Sequence, residues 1–288
     1  MLTWDPRTAA HSLRLVQDNV WLAPGQVAET SYPDDGHDWC RAIEDESFWF
    51  QHRNRMIQAA VARFPPFGAL LDVGGGNGCV AAALQRAGQQ VVMLEPAPLG
   101  VRHAQARGVP VIQGVLTEGL FAGDSIAGIG LFDVLEHLAD DGALLREAAR
   151  VLIPGGRIYV TVPAHPLLWS PEDDYAQHHR RYTPSRLMRA MREAGLSKIF
   201  LTPFFSCLIA PILMLRVLPG LMGLGRPSRT GNERSHLLPA GIMGRVLTQT
   251  LNAEVRNIRR GGRCLGGASL LLVAEKSAGL AARQEHTK

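Results

Sequence analysis

A short apolar run changes abruptly into a cluster of glycines between residues 69 and 78. Ala-Leu-Leu-Asp-Val at 69–73 is followed by Gly-Gly-Gly-Asn-Gly at 74–78, and a helical pattern of apolar residues occupies 80–86. This pattern predicts a buried strand, a tight turn and a helix, in that order. Glycine suits such a turn because its backbone adopts positive φ and leaves no Cβ in the way of a ligand. The chain is therefore expected to fold around a strand-to-helix ligand site.

Strand-like apolar runs alternate with helical patterns along the middle of the chain. The predicted strands lie at residues 69–73, 90–94, 109–113, 126–132, 157–162, 196–204 and 268–275, the last of them antiparallel. This alternation predicts an α/β fold with a doubly wound, mainly parallel sheet of seven strands. Ligands of such sheets bind beyond the carboxyl ends of the strands. The glycine turn, Glu95 and the pair Phe132 and Asp133 all follow predicted strand ends.

An acidic residue accompanies the glycine turn. Glu95 closes the second apolar run, 23 positions after Asp72. An acid about 20 residues after a glycine-rich turn is typical of nucleotide sites, where it binds a ribose hydroxyl. The glycines at 74, 76 and 78 occur at every second position, which differs from the G-x-G-x-x-G of dinucleotide sites. A Lys-Ser or Lys-Thr pair typical of a phosphate-binding loop does not follow them.

The acid-x-Gly-x-Gly-x-Gly pattern at residues 72–78, together with Glu95, resembles the class I S-adenosylmethionine (SAM)-dependent methyltransferases. The resemblance implies a Rossmann-like sheet that binds SAM. It assigns contacts with the methionyl part of SAM to Gly74, Gly75, Gly76 and Gly78. Asp72 would fix the loop and approach the SAM amino group, and Glu95 would accept hydrogen bonds from both ribose hydroxyls.

The resemblance assigns roles to two further strand ends. After the third strand, apolar contact and backbone groups would hold adenine, and the fourth strand would end beside the transferred group. The SAM contacts expected there are Leu116, Thr117, Phe132 and Asp133. His137 follows the fourth strand and is a candidate base, and a capping or packing role for Glu136 and His137 is the alternative.

A segment rich in polar and aromatic residues follows the fifth strand, at 163–182. It resembles the W-S-x-x-D…H-x-R-R-Y-T motif of a bacterial methyltransferase subgroup, alongside an S-F-W-F-x-x-R-N segment at 47–54. Loops at this edge carry acceptor-facing groups, so Tyr175, His178 and His179 join His137 as candidate catalytic residues. No metal is predicted, because the adjacent histidines do not form a ligand pair at helical spacing. A network of Arg, Asp and Tyr that only fixes the loop is the alternative.

The remaining segments flank the predicted core. We expect an N-terminal helical cap at 1–64, a SAM-binding core at 65–204, a helical insertion at 205–266, the last core strand at 267–276 and a flexible tail at 277–288. Polar runs at 31–36 and 225–235 predict loops, and 237–258 predicts an amphipathic helix. The apolar stretch at 199–224 is interrupted by three prolines, which disfavours a membrane-spanning helix. An acceptor lid, a homodimer face and a peripheral membrane contact stay open for this insertion.

Composition limits the location and the partners. The chain is 46% apolar and 19% charged, as expected of a globular protein. Its four cysteines are scattered and its first residues lack a secretory pattern, so a cytoplasmic protein with reduced thiols is expected. Residues 199–288 hold 12 Lys or Arg against four Glu, which would suit the inner face of a membrane or an acidic substrate, and a solvated surface is the alternative. Nucleic acid is not predicted, because aromatic residues do not alternate with the basic ones.

Three functions agree with these observations. The first is transfer of the SAM methyl group to a small-molecule or lipid-like acceptor, in secondary or cell-envelope metabolism. The second uses SAM as the whole substrate and closes its amino group onto Cγ, giving azetidine-2-carboxylate and methylthioadenosine. That reaction needs aromatic contact to the sulfonium and a hydrogen-bond acceptor for the amine, for which Trp49, Tyr175 and Asp133 are the candidates. The third is a non-catalytic SAM-fold protein that binds at a membrane.

Overall fold

A computed structural model describes residues 5–10, 13–24, 34–221 and 241–277. The strands are β1 (Arg14–Gln17), β2 (Val20–Leu22), β3 (Leu70–Val73), β4 (Val91–Glu95), β5 (Val111–Gln113), β6 (Ile126–Phe132), β7 (Leu152–Pro163), β8 (Leu196–Phe204) and β9 (Ser269–Lys276). The α-helices are α1 (Pro6–Ala9), α2 (Asp34–Ile43), α3 (Phe48–Arg63), α4 (Cys79–Arg86), α5 (Pro98–Ala106), α6 (Asp141–Val151), α7 (Pro171–Tyr175), α8 (Pro184–Glu193), α9 (Ile209–Ile212), α10 (Leu218–Leu221) and α11 (Gly241–Arg259).

All nine strands form one sheet in the order β1-β2-β5-β4-β3-β6-β7-β9-β8. Strands β2 through β7 pair in parallel, and β9 is antiparallel to both β7 and β8. Helices cover both faces: α6 and α8 contribute to one apolar core, and α3, α4, α5 and α11 contribute to the other. The predicted doubly wound, mainly parallel sheet and its antiparallel last strand are confirmed.

The sheet has nine strands, so the predicted count of seven is wrong. Strands β1 and β2 form an antiparallel hairpin that extends the edge beyond β5, within the segment predicted to be a helical cap. β2 buries Val20 and Trp21 against the sheet, whereas every side chain of β1 is exposed. A strand without a buried face has no alternating apolar pattern, so its sequence does not reveal it.

Helix starts in the core follow local capping chemistry. The Ser47 side chain accepts hydrogen bonds from the backbone N–H groups of Trp49 and Phe50 and begins α3. Asp140 accepts from the N–H of Ala143 at the start of α6. These side chains satisfy N–H groups that have no partner within the helix. They set where α3 and α6 begin, and both helices contribute residues to the site described below.

The insertion after β8 is helical over residues 206–221 and 241–259, whereas residues 260–266 form an irregular connection toward β9. A 3₁₀ turn (Ser206–Leu208), α9, a π-helical turn (Leu213–Val217) and α10 follow one another without a break. α11 forms the described part of the predicted amphipathic helix. Among the described residues, no helix is both long and apolar enough to cross a bilayer.

Some predictions fall on residues that the structure leaves undescribed. The predicted loop at 225–235 lies outside the described ranges, as do residues 278–288 of the tail predicted at 277–288. Residues 31–33 of the other predicted loop are outside them as well. α2 already begins at Asp34, so helix replaces the loop that was predicted for 34–36.

Candidate active site

The glycine turn follows β3 and brings backbone to the carboxyl edge of the sheet. A Cβ added at Gly75 would lie 2.4 Å from Cγ of the buried Met93, so this close approach requires glycine. Gly76 has φ of 56°, and open space lies where a side chain would begin. Its backbone therefore faces a cavity directly. Gly78 instead allows α4 and α5 to pack closely, because a Cβ added there would lie 2.8 Å from the Cβ of Ala104.

Glu95 ends β4 and supports the glycine turn. Its Oε2 accepts a 2.8 Å hydrogen bond from Gly76 N–H, and its Oε1 accepts a 2.9 Å bond from Ala97 N–H. Burial raises the pKa of Glu95, and these two bonds oppose the rise. A carboxylate can accept about four hydrogen bonds, so it retains capacity for two more donors such as ribose hydroxyls.

Asp72 lies beneath the turn in strand β3 and is 1% exposed. Its Oδ2 has no hydrogen-bond partner, and burial raises its pKa to about 7 although the Arg53 charge opposes the rise. A buried carboxylate oxygen without a donor is costly unless a ligand supplies one. The ammonium group of an amino acid is such a donor.

Asp133 follows β6 and adopts a strained backbone. Its φ is 58°, which is uncommon for a residue other than glycine and costs about 1 kcal/mol or more. Its Oδ1 accepts a 3.1 Å hydrogen bond from Thr161 Oγ1, and its Oδ2 accepts a 2.7 Å bond from Arg53 Nη1. The Arg53 guanidinium also lies 5.1 Å from the centre of the Trp49 ring. Sequence reasoning missed Arg53, although it is the arginine of the S-F-W-F-x-x-R-N segment.

Asn77 joins α2 and α5 to the glycine turn. Its Oδ1 accepts hydrogen bonds from Nδ1 of His37 (3.1 Å) and Nδ1 of His103 (3.0 Å). Its Nδ2 donates to the backbone oxygen of His37 (2.8 Å) and to Oε1 of Glu44 (3.3 Å). These contacts place α2 as a wall beside the turn. These hydrogen bonds join residues that are far apart in the chain, so the sequence did not predict them. The only local signal was an asparagine within the glycine motif.

One large cavity, of about 1760 Å³, lies in front of these strand ends. The predicted SAM contacts on its wall are Asp72, Gly74, Gly75, Gly76, Glu95, Leu116, Thr117, Phe132 and Asp133. Gly78 is not among the lining residues. Of the candidate catalytic residues, His137, Tyr175 and His178 line the cavity, whereas His179 is exposed and is not on the wall. Ligand pockets commonly enclose about 300–1,000 Å³, so this cavity has room for SAM and a second molecule.

Two histidines face each other at the cavity wall. The rings of His137 and His178 meet edge to face with centres 4.8 Å apart. His178 Nδ1 lies 2.8 Å from Oδ1 of Asp173. Arg181 donates from Nε to the same oxygen and from Nη2 to Oδ2 of Asp173. Burial raises the pKa of Asp173, but the bonds from His178 and Arg181 outweigh it and lower the value to about 2. Because an ionised carboxylate only accepts, Nδ1 of His178 carries the proton and a neutral ring keeps Nε2 as an acceptor.

The same corner could hold a metal ion. Glu136, His137 and His178 offer ligand atoms that all lie within 4.8 Å of one another. Glu136 is 1% exposed and its Oε2 has no hydrogen-bond partner. Burial and the nearby Asp133 carboxylate raise the pKa of Glu136 well above its usual value. Burial and then the neighbouring His178 lower the pKa of His137 to about 4, so its ring is neutral at physiological pH.

The loop after β7 is also fixed by a network of Arg, Asp and Tyr, as the alternative interpretation expected. Tyr182 is fully buried, and its hydroxyl donates to Oδ2 of Asp141 at 2.5 Å. Arg180 lies 3.1 Å from the other oxygen of Asp141. Asp173 is bound by Arg181 and caps α7 through Ser170. The network and the histidine pair therefore coexist, and the network positions the pair.

The strand order β5-β4-β3-β6-β7-β9-β8, the glycine turn after β3 and the buried Glu95 after β4 are the features of the class I SAM-dependent methyltransferase fold. The sequence matches the family described as a methyltransferase domain over residues 46–199, just over half of the chain. The chain belongs to this family. The resemblance inferred from the glycine motif is therefore confirmed at the level of the superfamily.

Individual relatives agree with this assignment. The ubiquinone biosynthesis O-methyltransferase of Methylobacterium sp. (strain 4-46) is 29% identical over 151 residues, which cover 44% of this chain and 59% of that protein. A probable SAM-dependent methyltransferase of Mycolicibacterium smegmatis is 27% identical over 177 residues, covering 60% and 68%. This chain thus spans 47% to 60% of the first three curated relatives it matches. A SAM-dependent methyltransferase of Thermotoga maritima has the same fold, with a TM-score of 0.55, 18% identity and coverage of 84% and 97%.

Proposed function

We propose that the protein transfers the methyl group of SAM to a small-molecule acceptor. One observation carries this proposal: a single cavity joins the glycine turn and Glu95 to the histidine pair and then to an apolar wall from the insertion. The cavity exceeds the volume of an ordinary ligand site. This supports two molecules bound side by side, as group transfer requires.

The residues at the polar end fit SAM. When bound, SAM supplies an electrophilic methyl group on a positively charged sulfur. Asp72 has an unpaired carboxylate oxygen for the amino group, and Glu95 has acceptor capacity for the ribose hydroxyls. The open space at Gly76 leaves backbone accessible to the methionyl part. Leu116 and Thr117 form the wall beyond β5 and would contact adenine.

His178 is the base in this proposal. Its Nδ1–H donates to Asp173, which leaves Nε2 to accept a proton from an acceptor hydroxyl or amine. An ionised carboxylate that orients a histidine also stabilises the imidazolium that forms. His137 packs against His178, and Tyr175 lies on the same wall. His179 has no part in this step, because it is not on the cavity wall.

The apolar wall of the cavity indicates what kind of acceptor could bind. Leu208, Ile212 and Leu247 of the insertion line the cavity, and Trp49 lines it from α3. This supports the insertion at 205–266 as an acceptor lid and favours an acceptor with an apolar part. Relatives are named for O-methylation in ubiquinone biosynthesis, and this name supports a small-molecule acceptor here. A role in secondary or cell-envelope metabolism follows as part of the proposal.

Cyclisation of SAM to azetidine-2-carboxylate is the second candidate. It is supported by Trp49 and Tyr175, which line the cavity and could contact a sulfonium. Cyclisation needs no second molecule, so it does not explain why the cavity extends to an apolar end. We therefore favour methyl transfer and take the nucleoside product as the distinguishing measurement.

We propose that the reaction needs no metal and takes place in the cytoplasm. The four cysteines, all among the described residues, form no disulfide, as expected in a reducing compartment. Addition of EDTA should leave the rate of S-adenosylhomocysteine formation unchanged. A loss of rate that Mg²⁺ or Zn²⁺ restores would instead assign a metal to Glu136, His137 and His178.

Binding of SAM by calorimetry tests the polar end directly. Glu95→Gln keeps the shape of the side chain but loses its charge and one acceptor oxygen, so the dissociation constant should rise about tenfold or more. Glu193→Ala changes an exposed glutamate of α8 and is the control, with unchanged affinity expected. Equal affinities for both variants, or no binding by the native protein, would contradict the assignment.

A further inference from the structure

We propose that the rim of the cavity docks on an anionic lipid bilayer, from which an amphiphilic acceptor enters with its polar end first. The part of this proposal that concerns the acceptor rests on the proposed methyltransferase function. The docking itself rests on three separate observations: exposed apolar side chains, their continuity with the cavity and the charge of the insertion.

Exposed apolar side chains are concentrated at two segments of the insertion. They are Leu213 (39% exposed), Met214 (62%), Leu215 (75%), Leu218 (42%), Ile242 (75%), Met243 (71%) and Val246 (56%). Single exposed apolar residues are normal on a protein surface, whereas a cluster of this size marks an interaction site. The first group lies on the helical run after β8, and the second lies on the first turns of α11.

The exposed cluster continues into the cavity. Leu215, Met243 and Val246 are more than half exposed and also line the cavity, so they lie at its mouth. Ile212 and Leu247 continue the apolar wall inward. An apolar chain could therefore extend from the outer surface to the catalytic wall without crossing a polar barrier. This continuity favours a bilayer over a protein partner, because a protein seated on the rim would close the mouth.

The charge of the insertion matches an anionic surface. Its described residues, 205–221 and 241–266, contain six arginines and one acidic residue, Glu254. Glu254 is 5% exposed and accepts hydrogen bonds from the backbone N–H groups of Phe205 and Ser206. Arg245, by contrast, is exposed and lies between Met243 and Val246. Apolar side chains flanked by arginines are typical of segments that lie in a lipid interface.

Buried polar contacts hold the two sides of the mouth together. His52 Nε2 of α3 lies 2.8 Å from Oε2 of Glu254 of α11, and the Ser206 hydroxyl donates to Oε1 of Glu254 at 2.5 Å. α11 and the segment after β8 are thereby joined to α3, which also carries Arg53 of the SAM site. The apolar rim thus has a fixed position relative to the reacting groups.

Co-sedimentation of the full chain with vesicles tests the docking. Vesicles of phosphatidylcholine mixed with phosphatidylglycerol should bind the native protein about tenfold more tightly than vesicles of phosphatidylcholine alone. The double variant Met214→Glu/Ile242→Glu should lose about tenfold or more in binding to the anionic vesicles. Leu15→Glu/Val16→Glu makes the same change at exposed apolar residues of β1, far from the mouth, and should bind as the native protein does.

Three results would overturn the proposal. These are a native protein that stays in the supernatant, a double variant that sediments as well as the native protein, and a dimer that the double variant dissociates without any vesicle binding. The last would assign the rim to a second copy. Met214 and Ile242 do not line the cavity, so SAM affinity should be unchanged in the variant. The vesicle measurement needs neither SAM nor turnover. A protein that does not bind vesicles therefore does not contradict the proposed methyl transfer, and a protein that does not bind SAM does not contradict the docking.

Discussion

Arg53 of α3 donates a 2.7 Å hydrogen bond from Nη1 to Oδ2 of Asp133, the residue that follows β6. Both side chains are largely buried, at 10% and 18% exposure. Asp133 also has a strained backbone, which its contacts with Arg53 and Thr161 help to hold. The candidate SAM site is therefore completed by a helix that precedes the nucleotide-binding core.

Replacement of Arg53 by Ala should lower the free energy of unfolding by about 3 kcal/mol, because Oδ2 of the largely buried Asp133 would lose the charged donor that it contacts at 2.7 Å. The dissociation constant for SAM should rise as the strand end loses its support. Urea unfolding and calorimetry measure the two effects. Arg41→Ala is the control, since its ion pair with Asp45 is exposed and is expected to contribute less than about 1 kcal/mol. Equal stability of the two variants would contradict this account of Arg53.

Gly75→Ala should destabilise the protein by about 1–3 kcal/mol, because the new Cβ would overlap the side chain of the buried Met93. SAM affinity should fall as well, since the turn must shift. Gly123→Ala is a matched control, in which the nearest atom to the new Cβ lies at an ordinary 3.5 Å. Thermal unfolding without SAM measures the loss of stability, and the shift of the melting temperature on adding SAM measures the loss of SAM affinity. A Gly75→Ala variant with the native melting temperature would refute the close approach.

The Asp173 interactions should make stability depend on pH. The pKa of Asp173 is lowered to about 2 in the folded protein, below its usual value of 3.8. The ionised form therefore adds about 2 kcal/mol above pH 4, and this contribution is lost as the pH falls from about 4 to 2. Asp173→Asn should be less stable than the native protein at pH 6, and the difference should shrink in acid. A difference that stays constant with pH would contradict the ion-pair network.

His178→Gln should lower kcat for S-adenosylhomocysteine formation about a hundredfold or more and leave SAM affinity unchanged, because it removes the base but no SAM contact. His179→Gln is the adjacent control and should stay within about twofold of the native rate, since that side chain is not on the cavity wall. Similar losses for both variants would exclude His178 as the base.

The centre of the fold was predictable because its signals are local. Residues 69–78 contain a complete strand, turn and helix start, and Glu95 and Asp133 each follow an apolar run. Parallel strands place their carboxyl ends at one edge, so the sequence was sufficient to bring these residues together. Asp72, Glu95 and Asp133 line one cavity, whereas Gly78 does not line it, and every contact with SAM stays a prediction.

Contacts between distant segments could not be predicted in this way. Arg53 and Asp133 are 80 residues apart, and His52 and Glu254 are 202 apart. Each pair depends on how α3 packs against the sheet and α11. The periodicity of apolar residues in the sequence does not predict this packing. Strand β1 was missed for a different reason, because its exposed side chains lack the alternation that a half-buried strand shows.

The nucleoside product tests the central claim most directly. Purified protein is incubated with SAM, first alone and then with a lipid extract, and the nucleosides are identified by mass spectrometry. Methyl transfer predicts S-adenosylhomocysteine that forms with the extract, in an amount equal to the methyl groups gained by an extract component. Methylthioadenosine formed from SAM alone would show cyclisation instead and would contradict the proposed function.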